Sequence, residues 1–266
     1  MGEMLLDNIA EIATKHDRLF VGSVEKAFKV LEAFTPDILD LSLNEIIIRT
    51  GLNKSAAQRF SHTLRCLGYL KKDPASRRYS LSQKVLASAN SFLSVDILVN
   101  RATPHIIDLR RKLDMRVGMG CPNGETAMYL IPLQSNQAAF RTAHPGFEVP
   151  LFCTSTGRAL LAYRERDEAR RIIQNCDRRK YTPYTMIGVD EIMAEIEQVC
   201  RRGYAITDQE LVTADINIAA PIFNSAGNAI ATVTASGPKS NWTRHDLETK
   251  VAFLIMETAR AISASA

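Results

Sequence analysis

The feature that most constrains the fold is a pair of capped helices separated by a very short turn. Ser42 and Glu45 have the spacing of a capping box, and Gly51 can supply the left-handed residue that ends a helix. Asn53 can then cap a second helix, which runs to about Leu67 with apolar residues at steps of three and four. Two helices joined by so short a turn predict a helix-turn-helix.

A two-stranded hairpin is predicted directly after the second helix. Residues 69–72 and 77–81 have extended character and flank Asp73-Pro74, the pair that a type I turn prefers at its first two positions. Residues 23–34 predict a further helix, which ends at Thr35-Pro36. A helix-turn-helix followed by a basic hairpin is a winged helix.

Positive charge is concentrated in the same stretch. Residues 49–84 hold nine basic residues and one acidic residue, a local net charge of +8 in a chain whose total is +4. Such a local excess indicates contact with a polyanion, although a merely solvated basic face would give the same count. Because the excess coincides with the winged helix, we predict double-stranded DNA as the partner.

The predicted DNA-binding residues lie on the second helix, at its N-terminus and on the hairpin. Arg59 and Gln58 can bond bidentately to guanine and adenine edges in the major groove. The helix N-terminus favours phosphate, and the hairpin side chains are expected at phosphate or in the minor groove. The full set is Asn53, Lys54, Ser55, Gln58, Arg59, His62, Lys71, Lys72, Arg77 and Arg78.

The rest of the chain predicts a second, larger domain of the α+β class with an antiparallel sheet. We divide the sequence into an N-terminal arm (1–20), the winged helix-turn-helix (21–82), a linking helix broken near Pro104 (83–103) and the second domain (104–266). Within the second domain, strands are expected at 115–121, 126–133, 137–142, 204–207, 216–223 and 229–236. Helices are expected at 104–113, 155–163, 190–202 and 244–262.

Four segments in order resemble the IclR (isocitrate lyase regulator) family of bacterial transcriptional regulators. They are VGSVEKAFKVLEAF (21–34), LSLNEIIIRTGLNKSAAQRFSHTLRCLGYLKKDPASRRYSL (41–81), VPLFCTSTGRALLA (149–162) and RRGYAITDQELVTADINIAAPIFNSAGNAIATVTASGP (201–238). The resemblance covers nearly the whole chain from residue 21. It implies a GAF-like effector domain, homodimers or homotetramers on a pseudo-palindromic operator, and binding of small carboxylic or aromatic acids.

The resemblance places the effector pocket on Ser155, Thr156, Thr207, Asn217, Thr234 and Ser236. The residue types agree with that placement, because alternate hydroxyls line one face of the strand at 229–236 and the helix beginning at Ser155 offers free amides. Thr154, Asp208 and Arg141 complete the predicted set, with Arg141 expected to pair with a carboxylate. For each hydroxyl, an ordinary cap or a bond to the backbone is the alternative.

Other functional classes find less support in the residues. The five scattered cysteines include no C-x-x-C pair, which predicts reduced thiols and no zinc site. The sequence has no P-loop, dinucleotide fingerprint or metal-ligand cluster, so we expect no cofactor. No apolar run is long enough to span a membrane and the N-terminus lacks a signal-peptide pattern, so we expect a cytoplasmic protein. Two alternatives stay open: an enzyme with Cys153 as nucleophile and His144 as base, and a non-sensing RNA-binding or architectural module.

Overall fold

The computed structural model describes residues 19–135 and 143–264. The chain forms two compact units, the first ending at Ser94 and the second beginning at Val95. Most of the predicted arm, the predicted strand at 137–142 and Arg141 therefore lie outside the described residues.

The first unit is a three-helix bundle with a short hairpin. Its elements are α1 (Gly22–Glu32), α2 (Leu43–Thr50), α3 (Lys54–Cys66), β1 (Leu70–Lys72), β2 (Tyr79–Leu81) and α4 (Val85–Val95). The core packs Val30 of α1, Ile46 of α2 and Leu64 of α3 against Leu70 and Tyr79 of the hairpin. The predicted winged helix-turn-helix is confirmed.

Each predicted cap of the helix-turn-helix is present. The Glu45 amide donates to Ser42 Oγ at 3.3 Å, and the Ser42 amide donates to Glu45 Oε2 at 2.7 Å. Gly51 has φ +68°, and Asn53 Oδ1 accepts from the Ala56 amide at 2.9 Å. Local side-chain bonds therefore fix both ends of the turn that sets α3 at its angle to α2.

The second unit is built on one antiparallel sheet of six strands in the order β5-β4-β3-β8-β7-β6. Its strands are β3 (Arg116–Asn123), β4 (Thr126–Leu133), β5 (Phe147–Pro150), β6 (Ala205–Asp208), β7 (Asp215–Phe223) and β8 (Ala229–Pro238). Its helices are α5 (Ile97–Lys112), α6 (Ser155–Leu161), α7 (Arg166–Asn175), α8 (Val189–Arg202), α9 (Arg244–Asp246), a π-helical turn (Leu247–Val251) and α10 (Ala252–Ser263). The predicted α+β class is confirmed.

Helices cover both faces of this sheet. α6 packs on the face that carries Ala205 and Ala219, with α8 beside it. α5 and α10 pack together against the strands from the other side, the side on which Met115 and Trp242 approach Gly237. The face under α6 is the one that carries the predicted effector residues, because Thr234 and Ser236 alternate with the oppositely directed Val233 and Ala235.

One expectation about the elements was wrong, and two elements were not predicted. The linking helix breaks at Asp96, whose side chain caps α5 by accepting from the Val99 amide at 2.7 Å, and not near Pro104. α5 continues through Pro104 because the burial of its apolar face outweighs the missing amide. Strand β5 and helix α7 were not predicted, since one has only four residues and the other buries only two.

Candidate DNA-binding surface and effector site

A cleft of about 610 Å³ opens between α3 and the hairpin. It is lined by Ser55, Gln58, Arg59, His62, Thr63, Arg65, Lys72, Arg77 and Tyr79. Six of the ten residues predicted to contact DNA therefore lie around one cleft. Thr63, Arg65 and Tyr79 were not predicted, although Arg65 continues the helix face of Gln58 and His62 at a spacing of three residues.

The cleft is open to solvent on its helical side. Ser55, Gln58, Arg59 and His62 are all exposed, while Ala57 and Leu64 on the opposite side of α3 are buried. α3 contains no acidic residue. The helix thus presents donors and cations on one face, as a helix that enters the major groove must.

The hairpin turn is held by its own side chain. Asp73 Oδ1 accepts from the amides of Ala75 and Ser76 at 3.1 and 2.6 Å, and these bonds, that of Ser76 foremost, lower the pKa of Asp73. Arg77 follows with φ +60°, an unusual value for a residue with a side chain. The bonded turn directs Arg77 into the cleft beside Lys72.

Arg78 corrects one expectation about the hairpin. Its guanidinium forms ion pairs with Asp40 and with Glu45 Oε2, the latter at 2.8 Å. Hydrogen bonds from Ser42 and the charge of Arg78 hold the pKa of Glu45 below its usual range. Arg78 therefore ties the hairpin to the N-terminus of α2, and its charge is already paired within the protein.

Asn53 and Thr154 act as helix caps. Asn53 uses its side-chain oxygen on the Ala56 amide. Thr154 Oγ1 accepts from the Gly157 amide at 3.1 Å and donates to the Pro150 carbonyl at 2.6 Å. The hydroxyl of Thr154 is thus already bonded to backbone, which is the ordinary role of a cap.

Four side chains form a polar row across the face of the sheet under α6. Thr207 of β6 pairs with Asn217 of β7, Asn217 pairs with Ser236 of β8, and Ser236 pairs with Arg116 of β3. Directly paired residues share a face of a sheet. The structure therefore brings together three predicted effector residues and adds Arg116, which was not predicted.

Asp208 does not join the polar row. It follows Thr207 on the same strand, so its side chain points to the opposite face. There its carboxylate forms an ion pair with Lys239. The expectation that Asp208 lines the effector pocket is wrong for this reason.

The neighbouring rows are built from small residues. A Cβ on Gly120 would lie 2.7 Å from Thr156 Cγ2, and a Cβ on Gly118 would lie 2.6 Å from the Ile131 carbonyl oxygen. Thr156 is fully buried there, and its hydroxyl lies 2.9 Å from the Tyr129 hydroxyl. Gly120 thus lets the first turn of α6 approach the sheet closely, and Gly118 leaves room for the neighbouring strand β4.

The buried hydroxyls on β8 are bonded to the neighbouring strand. Thr232 Oγ1 donates to the Gly120 carbonyl at 3.3 Å, and Thr234 Oγ1 donates to the Gly118 carbonyl at 3.4 Å. Ser236 is only half-buried. Among the hydroxyls of β8, that of Ser236 is therefore the one that combines a place in the polar row with access to solvent.

A buried ion pair holds the loop that follows β6. Arg158 of α6 donates to both carboxylate oxygens of Glu210 at 2.7 Å, and its Nε donates to the Phe152 carbonyl at 3.1 Å. The Thr185 hydroxyl donates to the Glu210 carbonyl at 2.6 Å. The pair joins α6 to residues 209–214, next to one end of the polar row.

The second unit gives little support for an enzyme that uses Cys153 as its nucleophile. Cys153 is fully buried, and burial, with a smaller contribution from Glu210, raises the pKa of its thiol to about 12. A thiol in that state is a poor nucleophile. Within 19–135 and 143–264, no three His, Cys, Asp or Glu side chains are grouped to hold a metal ion, and no helix is long and apolar enough to cross a membrane.

Comparison with known proteins agrees with both halves of the structure. A family model described as the bacterial transcriptional regulator IclR C-terminal domain matches residues 90–264, and one described as the IclR helix-turn-helix domain matches residues 23–74. The HTH-type transcriptional regulator KdgR of Escherichia coli is 29% identical over 245 residues, covering 92% of each chain.

Solved structures show the same architecture. An IclR family transcriptional regulator from Brucella abortus superposes with a TM-score of 0.80 at 26% identity, covering 94% of each chain. An IclR homologue from Microbacterium hydrocarbonoxydans complexed with 4-hydroxybenzoate has a TM-score of 0.74 at 21% identity, covering 91% of this chain and 98% of that one. The chain belongs to the IclR family of bacterial DNA-binding transcriptional regulators.

Proposed function

We propose that this regulator reads a specific operator through α3 and the hairpin, and that a small organic acid in the second unit controls its affinity for that operator. The observation that supports operator reading most directly is the cleft lined by Arg59, Gln58 and His62 on one side and by Lys72 and Arg77 on the other. Hydrogen-bond donors on the helix would bond to base edges, while cations on the hairpin would bind backbone phosphate.

The test separates base reading from phosphate contact. Duplexes are first selected from a random pool by the wild-type protein, and affinity is then measured for a selected duplex and a scrambled one over a range of salt. Arg59→Ala should reduce the binding free energy for the selected duplex by about 1–3 kcal/mol and weaken the preference for the selected over the scrambled sequence. Lys71→Ala should weaken both duplexes alike and reduce the salt slope by about one.

Arg166→Ala is the matched control, since Arg166 is an exposed cation on α7 of the second unit and is paired with Glu197. It should leave both affinities unchanged. If Arg59→Ala discriminates between the duplexes as well as the wild type does, α3 does not read the bases. If the wild-type protein selects no sequence at all, the non-sensing nucleic-acid module becomes the better interpretation.

The effector proposal is supported by the polar row of Thr207, Asn217, Ser236 and Arg116, and by the homologue complexed with 4-hydroxybenzoate. A screen of small aliphatic and aromatic acids by thermal unfolding tests it. An acid at 100 times its dissociation constant should stabilise the protein by about 2.7 kcal/mol. A stabilising acid should also change the affinity for the selected duplex.

We further propose that the protein acts as a homo-oligomer on a pseudo-palindromic site. α4 contains no charged residue, yet none of its residues is buried, and Phe92 and Val95 are 48% and 75% exposed. α1 likewise exposes Val24 and Phe28. Uncovered apolar faces of this kind mark interaction surfaces, and a second copy would place two α3 helices on two half-sites. Sedimentation of the full chain as a monomer at all concentrations would contradict this.

A further inference from the structure

The cleft between α3 and the hairpin is large enough to enclose a small molecule. Its volume of about 610 Å³ lies within the usual range of small-molecule pockets, about 300–1,000 Å³. Arg59 and Arg65 line it from α3, while Lys72 and Arg77 line it from the hairpin. Positive side chains therefore face one enclosed space from two elements.

Among the described residues, the four cations of the cleft form no ion pair. The ion pairs of the first unit join other side chains, namely Lys29 with Glu25 and Arg78 with Asp40 and Glu45. α3 itself carries no acidic residue. Because no carboxylate in the described part of this unit pairs with them, the four side chains produce a local positive potential that attracts multivalent anions.

The two cations of the hairpin are held in place before any ligand arrives. Lys72 Nζ donates to the hydroxyl of the buried Tyr79 at 3.0 Å. Arg77 has φ +60°, and its amide donates to the Asp73 carbonyl at 3.0 Å. Lys71 precedes Lys72 on β1, is exposed on the opposite face and does not line the cleft. A fixed hairpin lowers the cost of ordering the site when an anion binds.

We propose that the cleft also binds the phosphate chain of a small molecule, a diphosphate or a triphosphate, and that this ligand competes with operator DNA. Guanidinium groups bond phosphate oxygens bidentately, and an ammonium group adds a point charge. Adjacent phosphates of one chain present several negative charges together, so cations from both sides of the cleft can bond the same ligand. The inference deepens the proposed function, since it names a ligand that regulates the same surface.

The first test measures binding without DNA. The full-length protein is titrated by calorimetry with tripolyphosphate, ATP and adenosine in magnesium-free buffer. Tripolyphosphate and ATP should bind alike, with one ligand per chain, and adenosine should not bind, because the phosphate chain is the recognised part. Lys72→Ala and Arg77→Ala should each weaken tripolyphosphate and ATP by about 10-fold, as expected when a hydrogen bond between charged groups is lost. Lys71→Ala should bind both like the wild type.

The second test measures competition on the selected duplex at constant ionic strength. Tripolyphosphate should displace the duplex at concentrations near its own Kd, whereas sulfate at the same ionic strength should not. Lys71→Ala separates the two ligands, because it should weaken the duplex and leave tripolyphosphate unchanged. Arg166→Gln, which alters an exposed cation of the second unit, should change neither affinity.

Four results would overturn the proposal: a wild-type protein that binds neither tripolyphosphate nor ATP, adenosine that binds as tightly as ATP, tripolyphosphate that displaces no more duplex than sulfate does, or equal losses of tripolyphosphate affinity in Lys71→Ala and Lys72→Ala. The last result would indicate a diffuse basic surface. If Lys72→Ala does not fold, Arg77→Ala decides, since Arg77 is exposed. The calorimetric titration needs no operator, so a protein that selects no duplex would contradict operator reading and still test the ligand of the cleft.

Discussion

The buried pair of Arg158 and Glu210 allows a quantitative test of what holds the second unit together. Both side chains are almost completely buried, and two charge-assisted hydrogen bonds of 2.7 Å join them. Arg158→Met leaves the carboxylate buried with the Met186 amide as a remaining donor. Removing one partner of a buried ion pair costs about 3–5 kcal/mol, because the other charge stays buried and uncompensated.

The converse replacement, Glu210→Leu, leaves the Arg158 guanidinium bonded to the Phe152 carbonyl and to Met186 Sδ at 3.8 Å. We expect a loss of the same order. The double variant carries no buried charge, so its loss should be smaller than the sum of the single losses by about 3 kcal/mol, at the upper end of measured coupling energies. A domain stable by about 10 kcal/mol, the middle of the usual range, still folds with each single variant.

Urea unfolding followed by tryptophan fluorescence measures these losses in the full-length protein. Trp242 is the only tryptophan of the chain and lies in the second unit, where it contacts Gly237, so the signal reports that unit. Arg166→Met is the control, since it breaks an exposed pair. Single losses that simply add in the double variant would refute the reasoning, because they would show that the two charges do not depend on each other.

Three further predictions concern the first unit. Ser61 is fully buried and its hydroxyl has no hydrogen-bond partner among the described residues, so Ser61→Ala should leave the free energy of unfolding unchanged or raise it by about 1 kcal/mol in urea titrations followed by circular dichroism. The pKa of Glu45 is held below its ordinary value of 4.5, so the carboxylate contributes its full stabilisation above pH 4.5 and loses it as the pH falls below that value. Below pH 4.5 the unfolding midpoint of the wild type should therefore drop more steeply than that of Glu45→Gln. Arg78→Gln should lower the unfolding midpoint but leave the salt slope of DNA binding unchanged, and a reduced slope would show that Arg78 contacts phosphate after all.

Much of the DNA-binding unit could be predicted because its signals are local. The bonds from the Glu45 amide to Ser42 and from the Ala56 amide to Asn53 each span three residues, so spacing alone identifies them. The polar face of α3 follows from helical periodicity in the same way. The structure agrees closely with these predictions: α3 spans Lys54–Cys66, and Gly51 has the left-handed conformation.

The polar row could be predicted only in part, because strand register joins distant residues. Arg116 and Ser236 are separated by about half the chain, and no local pattern shows that β3 pairs with β8. Asp208 illustrates a smaller error. It was expected to line the effector pocket together with Thr207, but successive residues of a strand point to opposite faces, and Asp208 is the last residue of β6.

Charge patterning cannot distinguish a ligand of phosphate from a residue that stabilises the fold. Arg59 and Arg78 lie in the same basic stretch and count equally toward its net charge. Their environments differ because Asp40, far from Arg78 in sequence, is brought beside it when Leu41 bridges to Tyr79, while Arg59 keeps its place on the cleft. The number of cations that can neutralise phosphate is therefore smaller than the count in the sequence, and the salt dependence of DNA binding should follow the smaller number.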